Sequence, residues 1–171
     1  PTTPDVMSGI RTALARLLEQ AGGTPEVDAV MIGTTHFTNA VVQRRHLSRV
    51  AAIRIGLPAS ASLPPFTDWP EDLADLVRGQ VHMLAGGHEY DGRPIVPFDA
   101  AGMREVARQI RDSGIRSVGV ASVLSPLNGS CETEAEAILQ EVCPDVAVTL
   151  SHRLGRLGLL ERENVTLLNA C

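Results

Sequence analysis

The chain has 171 residues, of which 44% are hydrophobic and 20% are charged, and its formal net charge is -5. These proportions are typical of a globular domain and exclude a largely disordered chain. All 15 basic residues are Arg and are outnumbered by 20 acidic residues, so no basic patch for a phosphate backbone is visible. With one Trp, one Tyr and three Phe, a base-stacking surface is also excluded, and we expect no nucleic-acid partner.

The cysteines and the apolar runs indicate the compartment. Cys131, Cys143 and Cys171 are odd in number and lack the CxxC spacing of zinc sites, which favours reduced thiols in a cytoplasmic protein without a metal site. No apolar run reaches about 18 residues, and the chain does not begin with a basic and then apolar signal pattern. We therefore expect no membrane association.

The first quarter of the chain predicts a helix, a strand, a second helix and a second strand. Residues 3–5 are a good helix start, and apolar residues then recur with helical spacing until Gly22. The short apolar run over 27–33 predicts a strand that is covered on both faces. A helix is predicted over 39–45, and the next strand over 49–55.

The middle of the chain predicts a loop, a short helix and a hairpin. Residues 56–70 are rich in Pro, Ala and Ser, which indicates a loop or a boundary between subdomains. A short helix follows over 71–78. Asp91 and Gly92 form a pair typical of a type I′ turn, so we predict a β-hairpin within residues 80–98.

The last part of the chain alternates between helices and strands. Asp99 is suited to cap a helix that ends at Gly114. The elements predicted after it are a strand over 117–124, a helix over 132–142, a strand over 146–150 and a last helix over 158–170.

This order predicts a mixed α/β fold with a mostly parallel sheet, helical crossovers and one β-hairpin. We expect one compact domain built of three segments. Residues 1–55 are the first α/β segment, residues 56–98 hold the variable loop, short helix and hairpin, and residues 99–171 are an α/β segment that ends in a helix.

The stretch IGTTHFTNA over residues 32–40 is the most informative for function. In open α/β sheets, ligands bind where a strand ends and a helix begins, because free backbone N–H groups and the positive end of the helix dipole meet there. A glycine, three hydroxyls, an imidazole and an amide lie at this junction and could bind a phosphate or a carbonyl: Gly33, Thr34, Thr35, Thr38, His36 and Asn39. The alternative is that Thr38 or Asn39 only caps the helix and that Thr34 and Thr35 satisfy the turn.

Two residues of the last predicted helix are further candidates. Arg162 could contact a carboxylate or phosphate, or lie on a solvated helix face with intrahelical pairs. Asn169 follows Val165 and two leucines, so we expect it near an apolar face, where a buried amide needs partners.

The histidines near the predicted hairpin raise the question of a metal site. His82 and His88 share a strand face only if no bulge intervenes, and Gly86 and Gly87 favour a bulge. We therefore predict no metal ligand from them.

Four segments together resemble the N-terminal region of the hydantoinase/oxoprolinase family, of the hydantoin utilisation type. They are IGTTHFTNAVVQRR, DGRPIVPFD, VASVLSPLNGSCETEAEAILQE and SHRLGRLGLLERENVTLLNA. The resemblance implies an actin-like, ribonuclease H-like ATPase lobe that uses ATP with Mg to activate a cyclic amide, such as 5-oxoproline or a hydantoin, for ring opening. It also implies that the partner is a second hydantoinase subunit, and the relatives of the family include ATP-dependent ketone carboxylases.

The resemblance also implies roles for residues and a larger protein. The implied catalytic residues are Thr35, Asn39 and Arg162, and the implied substrate- or phosphate-binding residues are Gly33, Thr34, Thr38 and Asn169. The family's DxGGTxTD hairpin and its large following half are not in this sequence, so we expect a fragment that does not bind or hydrolyse ATP by itself. The alternatives are a non-catalytic interaction or regulatory domain with an actin-like framework, or a subunit of a ketone carboxylase.

Overall fold

The computed structural model describes residues 6–20, residue 22 and residues 36–171. The chain divides into two compact units, Pro1–His36 and Phe37–Cys171. The predicted strand over 27–33 lies outside the described residues. The elements are α1 (Val6–Gln20), α2 (His36–Gln43), β1 (Val50–Leu57), α3 (Glu71–Val77), β2 (Arg78–Ala85), α4 (Ala100–Ser113), β3 (Ser117–Ser122), α5 (Ser130–Val142), β4 (Ala147–Leu150), a 3₁₀ turn (Ser151–Arg153) and α6 (Leu159–Ala170).

The second unit is built around a four-stranded sheet with the order β2-β1-β3-β4. All three neighbouring strand pairs are parallel. The prediction of a mixed α/β fold with a mostly parallel sheet is thereby confirmed. The two central strands, β1 and β3, are buried along most of their length, as expected for short apolar segments that helices cover on both faces.

Alternate residues of β1 enter two hydrophobic cores on opposite faces of the sheet. Ala51, Ile53 and Ile55 pack with buried residues of α4 and α5. Val50 and Ala52 pack on the other face with buried residues of α3 and α6. Because successive strand side chains point to opposite faces, this pattern places the sheet between two helical layers. Arg54 follows the same alternation and lies on the α6 face.

The predicted β-hairpin is present only as one antiparallel bridge, between His88 and Pro94. The first half of the segment forms β2 instead, which pairs in parallel with β1. The prediction of a type I′ turn is wrong. Such a turn needs a positive φ at both turn residues, and only Gly92 has one, at 84°. The Asp91 side chain accepts a hydrogen bond from the backbone N of Arg93 at 3.1 Å. Such a side-chain bond to the backbone stabilises the turn without left-handed geometry at Asp91.

The predicted cap of α4 is confirmed and allows a direct test. Asp99 accepts a hydrogen bond from the backbone N of Gly102 at 2.8 Å, and Gly114 ends the helix in the left-handed region. We expect Asp99→Ala to lower the free energy of unfolding by about 1 kcal/mol, as lost helix caps do. Urea denaturation of the chain measures this. Asp112→Ala, on the exposed face of the same helix, is the matched control, and an equal loss in both variants would contradict the capping role.

Candidate functional site

Thr38 and Asn39 lie in the first turn of α2, and both are exposed. The helix begins at His36, so neither residue is the N-cap, and the alternative in which they only cap the helix is wrong. Their predicted neighbours Gly33, Thr34 and Thr35 lie outside the described residues. The grouping of these five residues into one ligand site stays a prediction.

Arg162 is buried rather than on a solvated helix face, with 1% of its surface exposed. Its Nε donates to Ser151 Oγ at 2.9 Å, and its Nη2 donates to the carbonyl of Ser122 at 2.5 Å. Its Nη1 lies within hydrogen-bond distance of the carbonyls of residues 156–158. The guanidinium therefore joins α6 to the end of β3 and to the loop that precedes α6.

Burial lowers the pKa of Arg162, while the nearby Glu132 and Glu163 raise it. An arginine titrates so far above neutral that the side chain stays charged. The catalytic role that the family resemblance implies for Arg162 stays a prediction. In this structure the N–H groups of the Arg162 guanidinium donate hydrogen bonds to acceptors within the protein.

Glu132, in the first turn of α5, is a buried carboxylate with four hydrogen bonds. Its Oε1 accepts from the backbone N of Ser122 at 2.8 Å and from Ser151 Oγ at 2.5 Å. Its Oε2 accepts from the backbone N of His152 at 3.0 Å and lies 2.7 Å from His152 Nδ1. Since Ser151 also accepts from Arg162, one hydroxyl bridges a buried anion and a buried cation.

These residues form a polar group at the carboxyl ends of β3 and β4, which we call the edge cluster. This is the edge of a parallel sheet where ligands usually bind. Sequence reasoning assigned Arg162 to the site but singled out neither Glu132 nor His152. An acidic residue in the first turn of a helix that follows a strand was the only available signal. The members of the edge cluster are Ser122, Ser125, Glu132, Ser151, His152 and Arg162.

A buried ion pair between Arg54 and Glu163 joins α6 to β1. The guanidinium of Arg54 pairs with both carboxylate oxygens of Glu163, and its Nη1 donates to the carbonyl of Leu63. The two charged side chains are 0% and 2% exposed. Trp69 Nε1 donates to Asn164 Oδ1 at 2.8 Å nearby. Glu163 and Asn164, adjacent residues of α6, thus contact the sheet and the 58–69 loop.

Asn169 is exposed, so the expectation that its amide is buried near an apolar face is wrong. The buried stripe of α6 contains Arg162, Glu163, Thr166 and Leu167, and Asn169 lies at its border in the last turn. Asn169 is seven positions beyond Arg162 in the helix, which is about 10 Å along the axis. The structure therefore does not bring these two predicted residues into contact.

An open groove of about 460 Å³ lies beside α6. It is lined by Gly155, Arg156, Gly158, Glu161, Arg162 and Val165. A Cβ at position 155 would lie 2.6 Å from Arg162 Cγ, so a glycine is needed for the loop to pass this close to the helix. The Arg162 side chain thus lines the groove while its donors point to the protein.

The two histidines of the middle segment make different contacts. His82 lies in β2 and contacts Gln80 Oε1 at 3.0 Å. His88 lies beyond two glycines of positive φ and contacts Ser130 Oγ at 3.4 Å. Within the described ranges, no three His, Cys, Asp or Glu side chains are placed to hold a metal ion. No helix in the same ranges is long and apolar enough to cross a membrane.

The fold and the edge cluster define an α/β domain with a parallel sheet whose carboxyl edge is rich in buried polar groups. The chain belongs to the family described as the hydantoinase/oxoprolinase N-terminal region, which matches residues 1–143. The resemblance seen in the sequence is thereby confirmed.

The chain is also similar to two known proteins, one of them by sequence and by structure and the other by structure. The chain is 26% identical over 199 aligned residues to the alpha subunit of the caprolactamase of Pseudomonas jessenii, a match over 99% of this chain and 27% of that protein. The crystal structure of the ATP-dependent caprolactamase from Pseudomonas jessenii has a TM-score of 0.70 at 24% identity over 99% of this chain and 27% of that one. A nucleotide-free acetone carboxylase structure has a TM-score of 0.59 at 14% identity, over 78% of this chain and 22% of that one.

The two structural similarities establish a shared fold. The chain spans about a quarter of the length of these relatives, since it covers 27%, 27% and 22% of them.

Proposed function

We propose that this chain is the N-terminal part of an ATP-dependent cyclic-amide hydrolase of the hydantoinase or 5-oxoprolinase type, on an actin-like ATPase lobe. The observation that carries the proposal is the family match over residues 1–143, joined by the sequence similarity to a caprolactamase. Caprolactam, hydantoin and 5-oxoproline share a cyclic amide. An unstrained amide is a poor electrophile, so its hydrolysis benefits from coupling to ATP.

ATP, when bound, supplies the phosphoryl group that activates the amide oxygen. The donor set at the start of α2 fits a phosphate or a carbonyl, because hydroxyl and amide groups near a helix N-terminus bind oxygen atoms without adding charge. Thr38 and Asn39 are exposed there. We propose that they contact the phosphate or the substrate, together with Gly33, Thr34 and Thr35. We assign Mg no ligand from the described residues, which bring no three metal-ligating side chains together.

The proposal extends to the partner and the compartment. The similarity to a protein named as an alpha subunit supports a second subunit in the complete protein. Cys131, Cys143 and Cys171 are all free thiols. Reduced thiols are typical of cytoplasmic proteins, so we propose a cytoplasmic enzyme.

A ketone carboxylase is the second candidate, because the fold is also similar to that of acetone carboxylase. It predicts ATP hydrolysis that depends on a ketone and bicarbonate. A non-catalytic interaction or regulatory domain predicts ATP turnover with neither type of substrate.

The deciding experiment measures ATP hydrolysis by the complete subunit with its partner subunit. We expect turnover only when 5-oxoproline, hydantoin or caprolactam is added, with the ring-opened product formed in step. Turnover that requires acetone and bicarbonate instead would support the carboxylase. An absence of turnover with every one of these compounds would reject both enzymatic functions.

Variants at Thr35 and Asn39 test the residue assignment. We expect Thr35→Ala and Asn39→Ala each to lower amide-dependent ATP turnover by about 10²–10³-fold, the usual effect of losing one donor that stabilises developing charge. Thr12→Ala, at an exposed threonine of α1, is the control and should turn over normally. Normal rates in both variants would remove these residues from the site.

A further inference from the structure

The environment of His152 assigns the proton positions on its imidazole ring. Glu132 is 0% exposed, and both of its oxygens accept from backbone N–H groups, as an ionised carboxylate does. An ionised carboxylate can only accept hydrogen bonds. Nδ1 of His152 lies 2.7 Å from Oε2 and therefore carries a proton. In the neutral ring the other nitrogen, Nε2, is then a proton acceptor.

The His152 ring contacts Glu132 and the start of α5 and is partly exposed. The backbone N of His152 donates to the same Oε2 as Nδ1 does. A Cβ at Gly129 would lie 3.2 Å from the ring, so the glycine lets the α5 N-terminus approach closely. The side chain is 22% exposed, and Nε2 has no hydrogen-bond partner in the part of the chain that the structure describes.

The charges around His152 come from three neighbouring elements. Glu132 of α5 contacts the ring directly, and Arg162 of α6 reaches it only through Ser151. Arg153 is neutralised by its pair with Glu136 at 3.0 Å. Among the described residues, the charged group that hydrogen-bonds the ring is therefore an anion, and it contacts Nδ1 rather than Nε2.

We propose that His152 is the general base of ring opening and that Glu132 is its positioning residue, an inference that rests on the function proposed above. Water gives a proton to Nε2 while its oxygen bonds to the amide carbon. When the ring C–N bond breaks, Nε2 returns the proton to the departing nitrogen. The phosphoryl group stays on the former amide oxygen as an acyl phosphate, which a second water hydrolyses to the carboxylate and inorganic phosphate. A base oriented by a third group is the usual arrangement for such proton transfer.

The first test needs neither ATP nor a cyclic amide. ¹⁵N NMR of the histidine rings in this chain should show His152 in the Nδ1–H tautomer when the ring is neutral. In Glu132→Gln, whose amide can also donate, we expect the Nε2–H tautomer to become populated. An Nε2–H tautomer of His152 in the unsubstituted chain would overturn the proposal.

The second test separates catalysis from folding. In His152→Asn the side-chain amide can still donate to Glu132, but the base at Nε2 is gone. We expect kcat for the cyclic amide to fall by about 10²–10⁴-fold, the usual contribution of general-base catalysis, with KM and the thermal unfolding midpoint nearly unchanged. His46→Asn is the matched control, because His46 is exposed and Asn tolerates its φ of 61°.

The outcomes distinguish the two proposals. Wild-type kcat in a folded His152→Asn enzyme overturns the base assignment alone. A wild-type enzyme that hydrolyses none of the cyclic amides overturns the proposed function and, with it, the base assignment.

Discussion

Glu163→Ala is expected to lower the free energy of unfolding by about 3–5 kcal/mol, because it leaves the Arg54 guanidinium buried without its charge partner. Both side chains are almost fully buried, and Arg54 sits on a central strand among apolar residues. The remaining acceptor, the carbonyl of Leu63, is neutral and cannot replace a carboxylate. The variant must therefore keep an unpaired cation in the interior or admit water to it.

Urea denaturation of the chain, with both variants measured at the same pH, gives the comparison. Glu105→Ala is the matched control, because Glu105 pairs with Arg108 on an exposed helix face at 3.0 Å, and we expect almost no change from it. Replacing both partners, as Arg54→Met with Glu163→Leu, should cost less than Glu163→Ala alone, since no charge is then left unpaired. Equal stability of Glu163→Ala and Glu105→Ala would contradict the importance of the buried pair.

Arg162→Met is expected to lower the free energy of unfolding by roughly 3 kcal/mol, since it leaves several buried acceptors without a donor. The substitution keeps much of the side-chain volume but removes the bonds to Ser151, to the Ser122 carbonyl and to the loop before α6. Arg156→Met, at an exposed arginine of the same loop, is the control and should be close to neutral.

The same variant separates a structural role of Arg162 from a catalytic one. The edge cluster should lose its order, so we expect weaker amide protection from hydrogen exchange in the loop before α6. If ATP turnover per folded molecule falls by more than the loss of folded protein explains, the implied catalytic role gains support. An unchanged unfolding free energy would show that the contacts of Arg162 do not stabilise the fold.

Most helices and strands of the second unit could be predicted from local patterns. Asp99 and Gly114 mark both ends of α4, and the apolar run of β3 predicts a buried strand, because caps and periodicity are properties of neighbouring residues. The hairpin could not be predicted in the same way. Asp91 and Gly92 indicate a turn, but β2 pairs with β1 rather than with the segment after the turn. A parallel pair joins segments distant in the sequence, so no local pattern predicts it.

The candidate site shows the same limit. The polar stretch after residue 32 can be recognised as a candidate site from the sequence, because its hydrogen-bond donors are adjacent in the sequence. Glu132, His152 and Arg162 lie 20 and 10 residues apart in turn, and each alone has an ordinary explanation as a helix or loop residue. Their hydrogen bonds exist only because the carboxyl ends of β3 and β4 meet at one sheet edge.

By itself, the sequence determined the fold class, the order of most elements of the second unit and the family, since these depend on periodicity, caps and a few motifs. Tertiary structure alone decided that Arg162 is buried, that Asn169 is exposed and that Glu132 holds His152. The physical reason is that burial and charge pairing arise between segments distant in the chain. The free energy of a polar group is set by those neighbours rather than by the residues beside it.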